Sequence, residues 1–283
     1  MPSPSPPSGM KPDPAPEPAP DPAAALPTAV VTGATAGIGA AFARLLAAES
    51  YRLVLVARDA DRLRAVAAEL APAPVTVLPA DLATEAGVAA VAERLAADPP
   101  ELLINNAGIS LNRSFLDSDP AAEERLLRLN VHAVMRLTLA VVPGMAARGH
   151  GGVVNVSSVA GFTVPRAGST YSAGKAWVTN FSQSIGYAVR PHGVRVMALC
   201  PGLVRTEFHQ RAGIDLSRTS DRWWLTPDHV AADGLRSLRR GRIVRVVDWR
   251  YRILVALLRV APGALVRAIS RGGAASRQPP RTL

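Results

Sequence analysis

Cysteine is almost missing from this sequence. The single thiol, Cys200 in V-M-A-L-C-P-G, excludes an internal disulfide and suits a reducing compartment. Its apolar neighbours read as a buried strand end, so a structural thiol is expected rather than a nucleophile. Also missing is any stretch of about 18 uninterrupted apolar residues, the length a membrane-spanning helix requires. The first residues show neither the charged start nor the apolar core of a signal peptide, and the expected location is the cytoplasm. Paired metal ligands are lacking too. His132, His150, His192, His209 and His229 are scattered, with no cysteine beside them, and no metal site is expected.

Acidic residues run short in one region only. The net charge is +10, yet residues 1–202 carry 16 Lys+Arg against 16 Asp+Glu, whereas residues 203–283 carry 16 Arg against 6 acids. A neutral body with a local basic excess argues against a nucleic-acid partner.

What is present falls into three parts. Residues 1–27 are so rich in proline that they have little to bury and cannot join a helix interior or a sheet; a disordered or polyproline II leader is expected. From Thr28 the pattern changes abruptly. The run T-A-V-V-T-G-A-T-A-G-I-G-A-A-F-A-R-L-L reads as strand, glycine turn and helix, an arrangement that lets a backbone and a helix N-terminus approach a pyrophosphate. Apolar strands at 52–58, 75–81, 102–108, 152–158 and 194–200 then alternate with helices near 60–70, 84–97 and 120–147. Such a pattern predicts an α/β fold with a parallel sheet covered on both faces. The unusual polar clusters all fall at the carboxyl ends of the strands, where ligands bind in open α/β sheets. The third part, residues 250–283, is a basic, partly helical extension.

Tyr171 and Lys175, in Y-S-A-G-K, are spaced to share one helix face. A free phenol has a pKa near ~10, and an ammonium about 4 Å away contributes on the order of 4 kcal/mol at an effective dielectric of about 20. That would draw the phenol towards neutral pH if water were partly excluded. The spacing alone also fits a solvated helix face, so neighbouring motifs must decide.

Taken together, T-G-A-T-A-G-I-G, A-D-L at 80–82, N-N-A-G at 105–108, L-N-V at 129–131, S-S-V-A-G at 157–161, Y-S-A-G-K and P-G-L-V-R-T at 201–206 resemble the short-chain dehydrogenase/reductase family. The resemblance runs from Thr28 to about Phe208. It implies a single-domain, Rossmann-like, doubly wound parallel sheet over residues 28–249, with strand order 3-2-1-4-5-6-7. In the family the catalytic serine stands thirteen residues before the tyrosine, which selects Ser158 over Ser157. Tyr171 is then the proton donor and acceptor, Ser158 a hydrogen-bond partner of the substrate oxygen, Lys175 a partner of both the tyrosine and the nicotinamide ribose, and Asn130 a link from Lys175 to solvent. The same resemblance assigns cofactor contacts to Gly33, Thr35, Gly37, Ile38 and Gly39 in the glycine loop, and to Tyr171 and Lys175. It places Asp81 and Leu82 by the adenine, Asn106, Ala107 and Gly108 by the adenine-side ribose and neighbouring backbone, and Pro201, Gly202, Val204 and Thr206 in the loop after the sixth strand.

Cofactor choice is expected to rest on V-A-R-D at the end of the second strand. Ala57 occupies the position where an NAD enzyme carries an acid, and Arg58 follows it, suiting a 2′-phosphate. NADP (NADPH) is expected over NAD, although Ala36 fills a loop position that is basic in many NADP enzymes of the family. Asp59 better fits a helix cap. The expected substrate is a hydrophobic ketone or alcohol and the expected assembly a homo-oligomer; an NADP(H)-sensing regulatory protein is the alternative. Trp223 and Trp224 fit either a closing segment or packing beneath it. The extension, with Arg252, Arg259, Arg267 and Arg271 among apolar turns, fits either a cover for the cleft or a subunit, or a peripheral contact with an anionic membrane.

Overall fold

A computed structural model describes residues 26–111, 115–162, 170–214, 216–217 and 219–260. The proline-rich leader and the part of the extension beyond Val260 lie outside the described residues. Six apolar runs form β1 (Thr28–Thr32), β2 (Arg52–Ala57), β3 (Val75–Pro79), β4 (Leu102–Asn105), β5 (Gly151–Val156) and β6 (Val194–Cys200). Two short strands, β7 (Leu203–Val204) and β8 (Trp224–Leu225), pair only with each other, and β9 (Val244–Val246) closes the main sheet. All pairings are parallel and the sheet order is β3-β2-β1-β4-β5-β6-β9. This is the expected Rossmann-like order, with β9 as the seventh strand of the sheet.

Helices cover both faces. On one side α1 (Gly37–Ala48) and α8 (Pro227–Arg239) bury Phe42, Leu46, Leu235 and Leu238 against β1, β4 and β6. The two helices approach closely because Gly234 has no side chain: a Cβ there would lie 2.8 Å from Leu199 and 3.1 Å from Phe42. On the other side α3 (Glu85–Ala97) and α5 (Ala133–Arg148) bury Val91, Leu95, Leu137, Val141 and Met145. The helical run Pro120–Arg148 is long and apolar enough to cross a membrane by length and composition. One face of it is buried through Leu126, Leu137, Val141 and Met145, while Leu127 and Leu139 stay exposed, as in an amphipathic helix covering a sheet.

Local signals explain the helix starts. Asp59 caps α2 (Ala60–Glu69), accepting from the backbone N–H groups of Asp61 and Arg62, and Thr226 caps α8 with Pro227 in its first turn. The helix expected at 120–147 is interrupted. α4 (Pro120–Leu127) passes into a π-helical turn at Arg128–His132 before α5 begins, and Asn130 sits in that turn, fully buried. α6 (Thr170–Val189) carries Tyr171 and Lys175. The boundary expected between residues 249 and 250 falls inside a helix, α9 (Trp249–Val260), whose Tyr251 belongs to the main core.

Candidate active site

The carboxyl ends of β1, β2, β4, β5 and β6 open into one cleft of about 940 Å³. Its first wall is the glycine loop. Gly33 and Gly37 take left-handed backbone angles, φ +65° and +55°, which favour glycine. Gly39 is required for a different reason. A Cβ there would stand 2.3 Å from the carbonyl oxygen of Gly33 and 2.5 Å from Nδ2 of Asn106, so the start of α1 lies directly on the end of β1. The N-terminus of α1 also lacks something its neighbours have. Capping Asp or Thr side chains close α2, α3, α4, α7 (Glu207–Arg211) and α8. α1 begins at Ala36 with no side-chain cap and no acid in its first turn. Its N–H groups and dipole therefore face the cleft ready for an anion, and a dinucleotide pyrophosphate fits that cradle.

N-N-A-G braces the loop. The Asn106 amide donates to the carbonyls of Thr32 (3.0 Å) and Gly33 (3.2 Å), while the Thr32 hydroxyl receives the N–H groups of Asn106 and Ala107. Asn105 points the other way, into a buried polar cluster with Thr138 and Asn155. The side-chain amide of Asn106 thus holds the loop in shape while the residue also lines the cleft. Arg58 is exposed on the cleft rim beside Asp81. Burial alone would raise the Asp81 carboxyl. The hydrogen bond from Arg125 (2.8 Å), the Ala83 N–H and the charges of Arg125 and Arg58 outweigh it and hold that carboxyl below its usual range.

At the other end stand Ser158, Tyr171 and Lys175. The two adjacent serines part company here. Ser157 is buried and bonded to the Lys175 carbonyl (2.7 Å) and the Thr179 hydroxyl (2.7 Å), whereas the hydroxyl of Ser158 accepts from the Ala160 N–H and bonds to the Tyr171 phenol. The Lys175 ammonium donates to the carbonyl of Val156 at 2.8 Å and lies 5.8 Å from the centroid of the Tyr171 ring. Burial pushes the phenol up to about 12, against a smaller lowering by Ser158, and pushes the ammonium down to about 8. The drop in the tyrosine's pKa expected from the spacing is therefore not found. Loss of hydration acts on both groups and is the largest cause of each shift.

The structure brings all the sequence-selected residues to the lining of this cleft except Gly39 and Asn130, which stand behind it. Gly39 supports the loop. Asn130 clasps the backbone of Ile109, its Oδ1 accepting from the N–H at 2.9 Å and its Nδ2 donating to the carbonyl at 2.8 Å. Since both ends of its amide are engaged with Ile109, the π-helical turn is what it contributes locally; such turns recur at functional sites.

A family model for the short chain dehydrogenases matches residues 27–216. The chain belongs to the short-chain dehydrogenase/reductase family. Among solved structures, a short-chain dehydrogenase from Sphingobium yanoikuyae in complex with NADPH is 36% identical, with a TM-score of 0.77, covering 90% of this chain and 99% of that one. The bulky-bulky ketone specific alcohol dehydrogenase from Comamonas testosteroni is 31% identical, with a TM-score of 0.71 over 89% of this chain and 97% of that one. A curated relative, the galactitol 2-dehydrogenase (L-tagatose-forming) of Cereibacter sphaeroides, is 38% identical over 61% of this chain and 69% of its own length. Membership makes the protein an oxidoreductase with a Rossmann nucleotide-binding fold.

Several residues of this short-chain dehydrogenase site escaped the sequence reading. Glu123 on α4 is buried and accepts from the Thr170 hydroxyl (2.6 Å) and the Thr170 N–H (3.2 Å), so a carboxylate 47 residues away in sequence ties down the first turn of α6, next to Tyr171. Arg62 reaches across the cleft from α2 to Glu207 on α7 (3.3 Å). Phe208 packs on Tyr171 with ring centroids 5.9 Å apart, and His209 stands edge-on to both Phe208 and Trp224. No local pattern announces these contacts, because all but the Phe208–His209 pair join separate elements of the chain. The expected structural role of Cys200 agrees with its place at the end of β6, fully buried, where burial pushes the thiol up to about 11.

Proposed function

We propose that the protein reduces the carbonyl of a hydrophobic ketone with NADPH, Tyr171 supplying the proton. The observation that carries this reading is the hydrogen-bonded pair of Ser158 and Tyr171 at one end of a cleft whose other end is the glycine loop and the uncapped start of α1. The bound dinucleotide supplies the hydride. Ser158 hydrogen-bonds the substrate oxygen and so stabilises charge where it develops. Tyr171, held as the protonated phenol by burial, gives its proton to the nascent alkoxide. Lys175, its ammonium anchored on the Val156 carbonyl, would hydrogen-bond the nicotinamide ribose, and the π-helical turn at Asn130 would offer backbone groups for proton return through water.

Arg58 supports NADP over NAD: it stands at the cleft rim where β2 ends, and no acid occupies position 57. Substrate hydrophobicity is supported by the apolar part of the cleft lining, which includes Ile109, Leu111, Phe208, Ala212 and Ile214, and by the ketone alcohol dehydrogenase among the similar structures. A complete set of serine, tyrosine and lysine favours turnover over nucleotide sensing. Exposed Leu139 and Tyr187 on the outer faces of α5 and α6 offer apolar surface for the proposed homo-oligomer. A panel of bulky and small ketones, followed by loss of NADPH absorbance, tests the reading. Consumption with a bulky apolar ketone is expected, and no consumption across the panel despite NADPH binding would overturn it.

A further inference from the structure

We propose that α9 docks the protein onto an anionic lipid surface. One face of this helix is committed to the fold. Tyr251 and Val255 are buried, the ring of Tyr251 lies so close to Gly202 that a Cβ there would meet it at 2.0 Å, and its hydroxyl receives the Leu203 N–H and donates to the Trp223 carbonyl. Among the described residues nothing covers the opposite face, which is apolar. Trp249 is 64% exposed, Ile253 51%, Leu257 60% and Val260 79%. At 100° per residue these four, with Ala256, fall within an arc of about 100°. Arg252 and Arg259 follow one edge of that arc and are exposed, while Arg250 at the other edge is held by Asp248 and the Arg222 carbonyl.

An apolar stripe that includes a tryptophan and is rimmed by arginines is the pattern of a helix lying in the headgroup region. There the apolar side chains insert and the guanidinium groups reach phosphates. The 12 described residues of α9, at about 1.5 Å each, reach only part of the way across a bilayer. Charge argues against a second copy of the chain as the occupant. From Trp249 to Leu283 the sequence holds seven arginines and no acidic residue, and the preceding carboxylate, Asp248, is already taken by Arg250, so two such helices packed together would set Arg252 and Arg259 side by side with no free carboxylate on the helix to neutralise them. An anionic surface supplies the missing charge. Docking would also hold the cleft near the lipid: the Arg259 guanidinium lies 5.0 Å from the ring of Phe162, in the short helical turn that follows Ser158.

The test uses the full chain and two vesicle types, phosphatidylcholine alone and phosphatidylcholine mixed with phosphatidylserine. The protein is expected to sediment with the mixed vesicles at low salt, to be released at high salt and to ignore phosphatidylcholine alone. Removing one buried leucine-sized contact changes partitioning about tenfold, so I253E/L257E should weaken binding about a hundredfold. Arg252→Ala should weaken it about fivefold. Circular dichroism and size-exclusion profiles matching the parent would show that the variants remain folded. The proposal is overturned if the parent fails to sediment with mixed vesicles at low salt, or if I253E/L257E sediments as well as the parent. A change in oligomer size on I253E/L257E, with vesicles ignored by the parent, would give this face to a subunit contact and overturn it equally.

Discussion

Replacing Lys175 by methionine should make the protein without cofactor more stable at neutral pH while removing its activity. The ammonium is 5% exposed, and burial lowers its pKa from 10.5 to about 8. Each pH unit of such a difference corresponds to about 1.4 kcal/mol, so forcing the charge to stay buried costs about 3 kcal/mol wherever the folded lysine remains protonated. The unfolded chain binds this proton more tightly than the folded one. The penalty is therefore fully present below pH 8 and disappears as pH rises towards 10.5. Methionine fills nearly the same volume without a charge. It leaves the Val156 carbonyl without its donor, at a cost of about 1–2 kcal/mol. A net gain of about 1–2 kcal/mol at pH 7 remains, equivalent to roughly 2–6 °C in Tm for a domain of this size. Thermal unfolding of both proteins at pH 7 and at pH 10 reads the effect, which should shrink or reverse at the higher pH. A methionine variant less stable than the parent at pH 7, or a difference that does not change with pH, would refute the reasoning.

Three further outcomes are expected. Arg58→Ala should weaken NADPH binding about 10- to 100-fold through the lost charged hydrogen bonds and leave NADH binding nearly unchanged; equal loss for both, by fluorescence titration, would remove Arg58 from the phosphate site. Gly39→Ala should be destabilising and cofactor-poor, although glycine to alanine within a helix ordinarily stabilises by up to about 1 kcal/mol, because the new Cβ would meet the Gly33 carbonyl; a raised Tm with intact NADPH binding would contradict the close approach of α1 to β1. Glu123→Ala should lower turnover more than NADPH affinity, because the carboxylate fixes the first turn of α6; unchanged turnover would mean that the tyrosine is positioned without it.

The order of strands and helices was legible because each carries a short apolar run or an amphipathic repeat, with glycine, proline or a capping Asp or Thr at its end. Asp59 and Thr226 are examples: their positions alone predict the helix starts that they cap. The cleft was legible for a related reason, since a parallel sheet gathers its carboxyl ends along one edge. What the sequence did not disclose depends on distance in space. N-N-A-G does not announce that the Asn106 amide reaches back across 74 residues to brace Thr32. Asn130 sits in what reads as continuous helix, and only its clasp on Ile109 distinguishes the π-helical turn. The balance between charge and burial at Tyr171 and Lys175 could not be read from a four-residue spacing, because desolvation is set by everything packed around the pair.

Tyr171→Phe tests the central claim most directly. The substitution removes one hydroxyl and keeps the ring that packs on Phe208, so the fold and NADPH affinity should match the parent. Loss of the positioned acid should lower turnover of any accepted ketone by about 10²- to 10⁴-fold. Turnover near the parent level, with NADPH still bound, would contradict the assignment of the proton to Tyr171.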